Sequence, residues 1–177
     1  MTYKNLRYGI KKNFLYVDRV LSKKLSAYNT RLNLTVVSQG FTELGKTPGF
    51  IFLLLGVCSV DLTLGGGLFV LLLVSEVVNA VLKSIIKRPR PVAEHIDAKA
   101  EHGWSFPSAH AQNSAAILLS LAYFSPGIIS VFWVLIIICI GLSRVLLEKH
   151  YIIDVLSGYL IGGFLCFLFI SNLYLLI

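Results

Sequence analysis

Residues 128–175 read IISVFWVLIIICIGLSRVLLEKHYIIDVLSGYLIGGFLCFLFISNLYL. The stretch consists of two apolar runs, about 128–147 and 151–175, which are separated by a short polar segment that contains His150. A helix that crosses the hydrocarbon core of a bilayer needs roughly 20 predominantly apolar residues. Each run is close to that length, so the stretch predicts two membrane-spanning helices joined by a tight turn.

Three more apolar runs precede this stretch, at about 49–64, 68–86 and 108–124. The glycines at 65–67 predict a turn between the first two runs, and Ser125-Pro126-Gly127 predicts a tight turn before residue 128. Because a span must satisfy its own backbone hydrogen bonds and no strand alternation is visible, the runs are expected to be helices. The sequence therefore predicts an all-α, integral-membrane helical bundle of five to six helices.

The first 47 residues are too polar to cross a bilayer, because their apolar residues alternate with many lysines and arginines. Apolar positions at helical spacing among cations are typical of an amphipathic helix that lies on the membrane surface. A solvated basic tail is the alternative. We expect a single domain over 1–177, with a basic interfacial segment at 1–47 and a transmembrane bundle at 48–177.

Composition narrows the partners of this chain. Of its 177 residues, 56% are hydrophobic and only 14% are charged, which argues against a soluble or disordered protein. The net charge is +7, but the basic residues flank apolar runs and form no soluble basic module, so anionic lipid is a better partner than nucleic acid. The expected location is a membrane, specifically the bacterial inner (plasma) membrane. The three cysteines match no metal or redox motif.

Polar residues interrupt the apolar chain in three clusters, each at the end of a predicted helix: residues 83–91, 106–110 and 143–154. When the spans are traced through the membrane, the three clusters fall on the same face. A shared position of this kind favours one site over three unrelated helix ends.

The clusters contain groups that bind phosphate. Their cations can neutralise a dianion, and the two arginines offer forked donors: Lys83, Arg90 and Arg144. Pro107-Ser108 is typical of a helix start, where Ser108 and the free amides after it can hold an anion.

The clusters also contain groups for nucleophilic catalysis. His150 and Asp154 are spaced i, i+4, which predicts that they share one helical face. A carboxylate in that position can hold the imidazole in one tautomer and raise its basicity. His110 provides a second titratable group, suited to protonating a leaving oxygen.

The order and spacing of these residues resemble the type 2 phosphatidic acid phosphatase superfamily, whose signature is KX6RP, PSGH and SRX5HX3D. The motifs are met by Lys83 to Pro91, Pro107 to His110, and Ser143 to Asp154. Arg88-Pro89 is out of register with the first motif, since seven residues before Arg88 lies a valine. Ala109 replaces the glycine of the second motif, and we expect an ordinary backbone conformation there because alanine resists positive φ.

The resemblance implies a function and a role for each residue. His150 would form a phosphohistidine with Asp154 as its partner, and His110 would be the general acid. Five residues would hold the phosphoryl oxygens: Lys83, Arg90, Ser108, Ala109 and Arg144. The implied enzyme is a lipid phosphate phosphatase that needs no metal or other cofactor. Its substrate would be phosphatidylglycerophosphate, lipid A 1-phosphate, undecaprenyl pyrophosphate or phosphatidic acid.

Three alternatives stay open at this point. The same scaffold could transfer the phosphoryl group to an alcohol as a lipid phosphotransferase, or it could be a catalytically silent membrane scaffold. A metal enzyme would have to use the loop residues Glu94, His95, Asp97, Glu101 and His102, whose spacing fits no known zinc signature. The sequence does not fix the oligomeric state.

Two features inside the spans lead to further expectations. Glu76, Asn79 and Lys83 fall on one helical face, so Glu76 is expected to support the site by hydrogen bonding toward Lys83 through Asn79. Gly158 and Gly162 form a G-x-x-x-G pair that predicts close packing of the last span against a neighbour.

The charge distribution and the family resemblance predict opposite sides of the membrane for the site. If residues 1–47 do not cross, all 16 Lys and Arg residues lie on the site face, and the positive-inside rule places that face in the cytoplasm. Resemblance points the other way, because many bacterial relatives act on the outer face of the inner membrane.

Overall fold

The computed structural model describes residues 3–91 and 103–173, with side chains from Leu15 onward in the first range. Every regular element within these ranges is a helix, as an all-α bundle requires. The helices are α1 (Tyr3–Arg31), α2 (Thr35–Leu44), α3 (Thr47–Val60), α4 (Leu62–Ile86), α5 (Ala109–Phe124), α6 (Ile128–Leu146) and α7 (Ile152–Leu173).

Three of these helices, α4, α6 and α7, are long and apolar enough to cross a membrane. The short helices α2 and α3 would make a fourth span if they count as one helix bent by 54° at the break between them. The predicted all-α, integral-membrane bundle is confirmed, but the described residues form seven helices where five to six were predicted. The 16-residue α5 lies at its centre, packed against α4, α6 and α7.

The turn between α3 and α4 lies earlier than the sequence predicted. The glycines at 65–67 are inside α4, and the chain turns at Asp61, whose Oδ1 accepts a hydrogen bond of 2.9 Å from the backbone N–H of Leu64. Aspartate is among the most favourable N-cap residues, and glycine inside a helix is unfavourable by only about 1 kcal/mol relative to alanine. Gly65 instead allows close packing, since a Cβ there would lie 2.7 Å from the backbone nitrogen of Cys58.

Close packing of α7 on α5 is confirmed. A Cβ at Gly158 would lie 2.7 Å from the carbonyl oxygen of Ser108, and one at Gly162 would collide with the carbonyl oxygen of Gln112. The absence of side chains at these positions lets the two backbones approach directly. This contact fixes the start of α5 against the start of α7.

The described part of α1 is amphipathic, with its polar side facing the bundle. Its buried residues lie three or four apart and are all polar: Asp18, Ser22, Ser26 and Asn29. Most of its apolar side chains point outward, among them Tyr16, which is 68% exposed, although Leu25 packs against the bundle. Lysines and arginines of α1 are exposed as well. This orientation is the reverse of that in a soluble protein, and it suits a helix whose outer side meets lipid.

Candidate active site

The turn between α6 and α7 presents His150. The backbone N–H groups of Lys149 and His150 both donate to the carbonyl of Arg144, at 3.0 and 3.1 Å, which closes the end of α6. His150 therefore precedes α7, which begins at Ile152. The expectation that His150 and Asp154 share a helical face was wrong, because the helix starts between them.

Asp154 nevertheless faces His150 from the first turn of α7. Its Oδ2 accepts a hydrogen bond of 2.9 Å from the N–H of Tyr151 and lies 3.7 Å from Nδ1 of His150. The second distance is longer than a hydrogen bond but short enough for attraction once the ring is charged. Catalytic contacts of this kind often shorten only when the substrate is bound.

The other ring nitrogen of His150 faces Arg90. Nη1 of Arg90 lies 3.2 Å from Nε2 of His150 and also donates to the carbonyl of Lys149 at 3.0 Å. A guanidinium can only donate, so Nε2 must be the acceptor and carry the lone pair. The ring proton is then on Nδ1, on the side of Asp154.

Asp154 is completely buried, and charged and polar groups surround it. Nη1 of Arg88 donates to its Oδ1 at 2.7 Å, and the hydroxyl of Ser105 donates to its Oδ2. Neither partner was predicted, although Arg88 follows the same helix end as Arg90. Because Arg88 is out of register with the KX6RP motif, it was not predicted to bind phosphate. The motif gives no indication of an ion pair between Arg88 and Asp154.

Arg90, His110 and Arg144 line one cleft of about 710 Å³. Within the described residues, three buried side-chain nitrogens lack a hydrogen-bond partner, and all three belong to this region: Nε2 of His110, Nε of Arg144 and Nδ1 of His150. Unsatisfied buried polar atoms are costly in a resting protein. His110 and Arg144 line this cleft, and His150 lies beside it through its contact with Arg90, so the group suits a site that is completed by an anion.

Helix α2 supplies a wall of the cleft that the sequence did not reveal. Thr42 lines the cleft, accepts a hydrogen bond of 3.3 Å from Nη1 of Arg144, and lies 2.9 Å from the hydroxyl of Ser143. These contacts aim the Arg144 side chain into the cleft. No motif marks α2, so only the fold could identify it.

Ser108 is the N-cap of α5, in agreement with the predicted helix start, and its hydroxyl accepts a hydrogen bond from the N–H of Ala111 at 3.5 Å. Its own N–H donates to the backbone carbonyl of Asp154 at 3.0 Å, which joins the second cluster to the third. Ala109 is the first residue of α5 and is not among the described residues with positive φ, so the expected ordinary conformation is confirmed.

Lys83 lies in the last turn of α4, close enough to Arg90 and Arg144 for their charges to act on its ammonium group. The structure thus brings the predicted residues of all three clusters to one region.

Glu76 was assigned the wrong partners. Its Oε1 accepts hydrogen bonds from Thr47 at 2.6 Å and from Asn113 at 2.8 Å, whereas Asn79 donates to Gln112 at 3.0 Å. The side-chain amides of α5 face α4 and form hydrogen bonds with Glu76 and Asn79. Glu76 is therefore not linked to Lys83 through Asn79 by the predicted hydrogen bonds. Glu76 instead joins α3, α4 and α5 beneath the site.

Electrostatics keep His150 neutral at physiological pH. Burial lowers the pKa of the His150 imidazole to about 4, and the positive charges of Arg90 and Arg144 act in the same direction, against Asp154. Burial also lowers the pKa of Arg90. A neutral imidazole retains the lone pair that a nucleophile needs.

The loop residues weighed as metal ligands, Glu94 to His102, lie outside the described residues. Among residues 3–91 and 103–173, no group of three or more His, Cys, Asp or Glu side chains is placed to hold a metal ion.

Comparison with known proteins agrees with the resemblance. The family model of the PAP2 superfamily matches residues 64–175. Phosphatidylglycerophosphatase B of Bacillus subtilis is 31% identical over 150 residues, covering 76% of this chain and 73% of that protein. Decaprenylphosphoryl-5-phosphoribose phosphatase of Mycobacterium tuberculosis is 30% identical over 152 residues, covering 78% and 80% respectively.

A solved structure shares the fold. It is the crystal structure of a transmembrane PAP2-type phosphatidylglycerolphosphate phosphatase from Bacillus subtilis, with a TM-score of 0.80 and 26% identity over 90% of this chain and 86% of that one. The family match covers more than half of the chain, and the relatives are phosphatases that act on lipid phosphates. The chain therefore belongs to the PAP2 superfamily and is a membrane lipid phosphatase.

Proposed function

We propose that this protein hydrolyses the terminal phosphomonoester of phosphatidylglycerophosphate through a phosphohistidine formed on Nε2 of His150. The observation that carries the proposal is the position of this ring: Nε2 faces Arg90, while Nδ1 faces Asp154. A bound phosphate that accepts from Arg90 would lie beside the lone pair of Nε2.

The first step is attack of Nε2 on phosphorus with cleavage of the bond to the lipid oxygen. Lys83, Arg90 and Arg144, with the amides at the start of α5, offset the charge of the phosphoryl oxygens. The negative charge of the bound phosphate favours the imidazolium form of His110, which donates its proton to the leaving alkoxide. Asp154 stabilises the positive charge that develops on the His150 ring.

The second step is attack of water on the phosphohistidine. His110, now neutral, accepts a proton from the water, and the bond between phosphorus and Nε2 breaks to release inorganic phosphate. His110 and His150 return to their starting states. No step requires a group outside the chain, the lipid and water, so a chelator is expected to leave turnover unchanged.

A neighbouring groove supports a lipid as the substrate. The groove lies between α3, α5 and α6, has a volume of about 390 Å³, and is lined almost entirely by apolar residues that include Leu53, Trp133 and Ile140. A Cβ at Gly45 would lie 2.6 Å from Ile140 and 3.1 Å from the His110 ring, which places the groove beside the cleft. The hydrocarbon chain of a lipid would fit here with its headgroup at His150.

The choice of substrate rests on relatives. A relative and a solved structure from Bacillus subtilis both carry the name of a phosphatidylglycerophosphate phosphatase. Relatives with other names act on polyprenyl phosphates, so these remain the principal competitors.

The test is phosphate release by the purified protein in mixed micelles. The panel contains phosphatidylglycerophosphate, phosphatidic acid, undecaprenyl pyrophosphate and lipid A 1-phosphate, each with and without EDTA, and with His150→Ala as the inactive control. We expect the highest kcat/KM for phosphatidylglycerophosphate, inhibition by vanadate and no effect of EDTA. A higher kcat/KM for another lipid would show that phosphatidylglycerophosphate is not the preferred substrate. Loss of turnover in EDTA, with recovery on adding a divalent ion, would overturn the mechanism.

The phosphotransferase alternative uses the same intermediate. It predicts that a second lipid alcohol takes the phosphoryl group in place of water. Adding diacylglycerol to the assay as the acceptor alcohol would then yield phosphatidic acid and reduce release of inorganic phosphate.

A further inference from the structure

Asp18 on α1 is a buried carboxylate with partners on two other segments. Its Oδ1 accepts a hydrogen bond of 3.2 Å from the N–H of Ile153, which lies in the first turn of α7. Its Oδ2 accepts one of 2.6 Å from Nη2 of Arg88. Burying a carboxylate is costly unless it is paired, and both oxygens of Asp18 are paired.

Arg88 connects Asp18 to Asp154. Nη2 of its guanidinium contacts Asp18 and Nη1 contacts Asp154, at 2.6 and 2.7 Å, so one planar fork bridges the two carboxylates. The side chain of Arg88 is 12% exposed, while those of Asp18 and Asp154 are 1% and 0% exposed. Such short, charge-assisted hydrogen bonds fix the orientation of the two partners as well as stabilising their charges. The guanidinium also lies over the ring of Tyr151, 4.0 Å from its centre.

This bridge sets the orientation of the Asp154 carboxylate. Arg88 occupies Oδ1, which leaves Oδ2 for Ser105, for the N–H of Tyr151 and for the side of His150. If Arg88 could swing away from this position, the carboxylate could rotate and its Oδ2 would leave His150. Asp18 prevents that movement by holding the opposite edge of the guanidinium.

We propose that Asp18 is a positioning residue for phosphoryl transfer, acting through Arg88 on Asp154 and so on His150. The inference rests on the proposed function, in which His150 is the nucleophile and Asp154 its partner. Asp18 lies outside residues 64–175, which the family model matches, and 70 positions from Arg88 in the chain. The basic N-terminal segment therefore contributes to the site and does more than rest on a membrane surface.

Asp18→Asn is the direct test, because asparagine keeps the shape and can still accept from Ile153 while the charge that holds Arg88 is lost. We expect kcat to fall by roughly tenfold to a hundredfold with little change in KM, since a misplaced catalytic group slows chemistry more than binding. The matched control is Ser26→Ala, which removes another contact of α1, the 2.8 Å hydrogen bond to Glu148, without touching Arg88. Its kcat should equal that of the wild type.

A double-mutant cycle separates positioning from general loss of structure. Lysine at position 88 cannot bridge two carboxylates, so Arg88→Lys alone should lower kcat without raising KM. Adding Asp18→Asn to Arg88→Lys should then cost little more, because both changes break one linkage. If Asp18→Asn yields too little folded protein, Arg88→Lys alone still tests the linkage, because it leaves Asp18 in place.

Three results would overturn the inference: wild-type kcat in Asp18→Asn, fully additive losses in the cycle, or an equal loss in Ser26→Ala. Each assumes that the wild type releases phosphate and that His150→Ala does not. If those two conditions fail, the proposed function is wrong. If they hold and Asp18→Asn is unimpaired, only the role of Asp18 is wrong.

Discussion

At the scale of single residues, the imidazoles of His110 and His150 differ in their surroundings. Nε2 of His150 is held by Arg90, whereas Nε2 of His110 is buried without a partner among the described residues. The first ring is therefore oriented before substrate binds, as a nucleophile should be. The second has a nitrogen free to reach a leaving oxygen.

The contribution of His110 to the rate should be larger for a substrate with a poorer leaving group. Changing His110 to Ala should lower hydrolysis of a lipid phosphomonoester by about 10²- to 10⁴-fold, the usual contribution of a general acid. With the aryl phosphate 4-nitrophenyl phosphate, the leaving group is 4-nitrophenolate, which departs without protonation. The rate of phosphoenzyme formation from this substrate should therefore fall much less. Burst kinetics with both substrates measure the difference. Equal losses would contradict the role of His110 as an acid.

The lowered pKa of His150 leads to a prediction about stability. The folded protein holds this imidazole neutral down to a pKa of about 4, against an ordinary value of 6.5. Between these values the unfolded chain binds more protons, so the free energy of unfolding should fall as the pH drops from 6.5 to 4. The largest loss is about 3 kcal/mol.

The thermal unfolding midpoint in detergent, measured from pH 7 to pH 4, checks this prediction. His150→Gln has no titrating ring at this position, so its midpoint should fall less than that of the wild type over the same range. Parallel curves for the two proteins would show that burial of His150 does not couple to acid stability.

At the scale of helices, contact between α5 and α7 holds the second and third clusters together. Gly158→Ala would place a methyl group 2.7 Å from the carbonyl of Ser108 and 3.0 Å from Ala111. Overpacking of this kind typically costs about 1–3 kcal/mol. Gly163→Ala is the matched control on the same helix, since its nearest neighbour would be Leu119 at 3.9 Å.

We expect Gly158→Ala to lower both the unfolding midpoint and kcat, because the start of α5 shifts relative to Asp154. Gly163→Ala should retain both. An active and equally stable Gly158→Ala protein would show that the close approach of the two helices is not required.

The helices show what sequence could and could not predict. Apolar runs gave the positions of α4, α6 and α7 because each run has the length of a span, and Pro107-Ser108 marked the start of α5. The turn before α4 was misplaced because Asp61 starts that helix and the glycines serve packing. The break between α2 and α3 falls at Gly45, shortly before Pro48, close to the boundary predicted between residues 47 and 48.

The candidate site was also predicted only in part. Motif spacing identified three residues that line the cleft, Arg90, His110 and Arg144, since their order in the chain is tied to the ends of the helices. Asp18, Thr42 and Ser105 could not be predicted, because each meets its partner only through packing of distant segments. Glu76 was assigned the wrong partners because one helical face does not show what the facing helix offers.

At the scale of the whole molecule, charge is distributed unevenly between the two ends of the bundle. The exposed lysines of α1 and the cations of the cleft lie at the end that carries His150. The opposite end has the turns at Asp61 and Pro126. The positive-inside rule therefore predicts a cytoplasmic cleft.

Cysteine labelling in intact cells tests this orientation. In a background without native cysteines, Lys24→Cys reports on the cleft end and Pro126→Cys on the opposite end; both positions are exposed. We expect an impermeant maleimide to label Pro126→Cys and to reach Lys24→Cys only after the cells are opened. The reverse pattern would place the cleft on the outer side.

The central claim is that His150 carries the phosphoryl group during turnover. Rapid quenching of the enzyme with phosphatidylglycerophosphate labelled in its terminal phosphate, followed by mass spectrometry under alkaline conditions, tests it most directly. We predict one labelled phosphoryl group on the peptide that contains His150, and no labelled peptide from His150→Ala. Label on another residue, or full turnover by His150→Ala, would contradict the account.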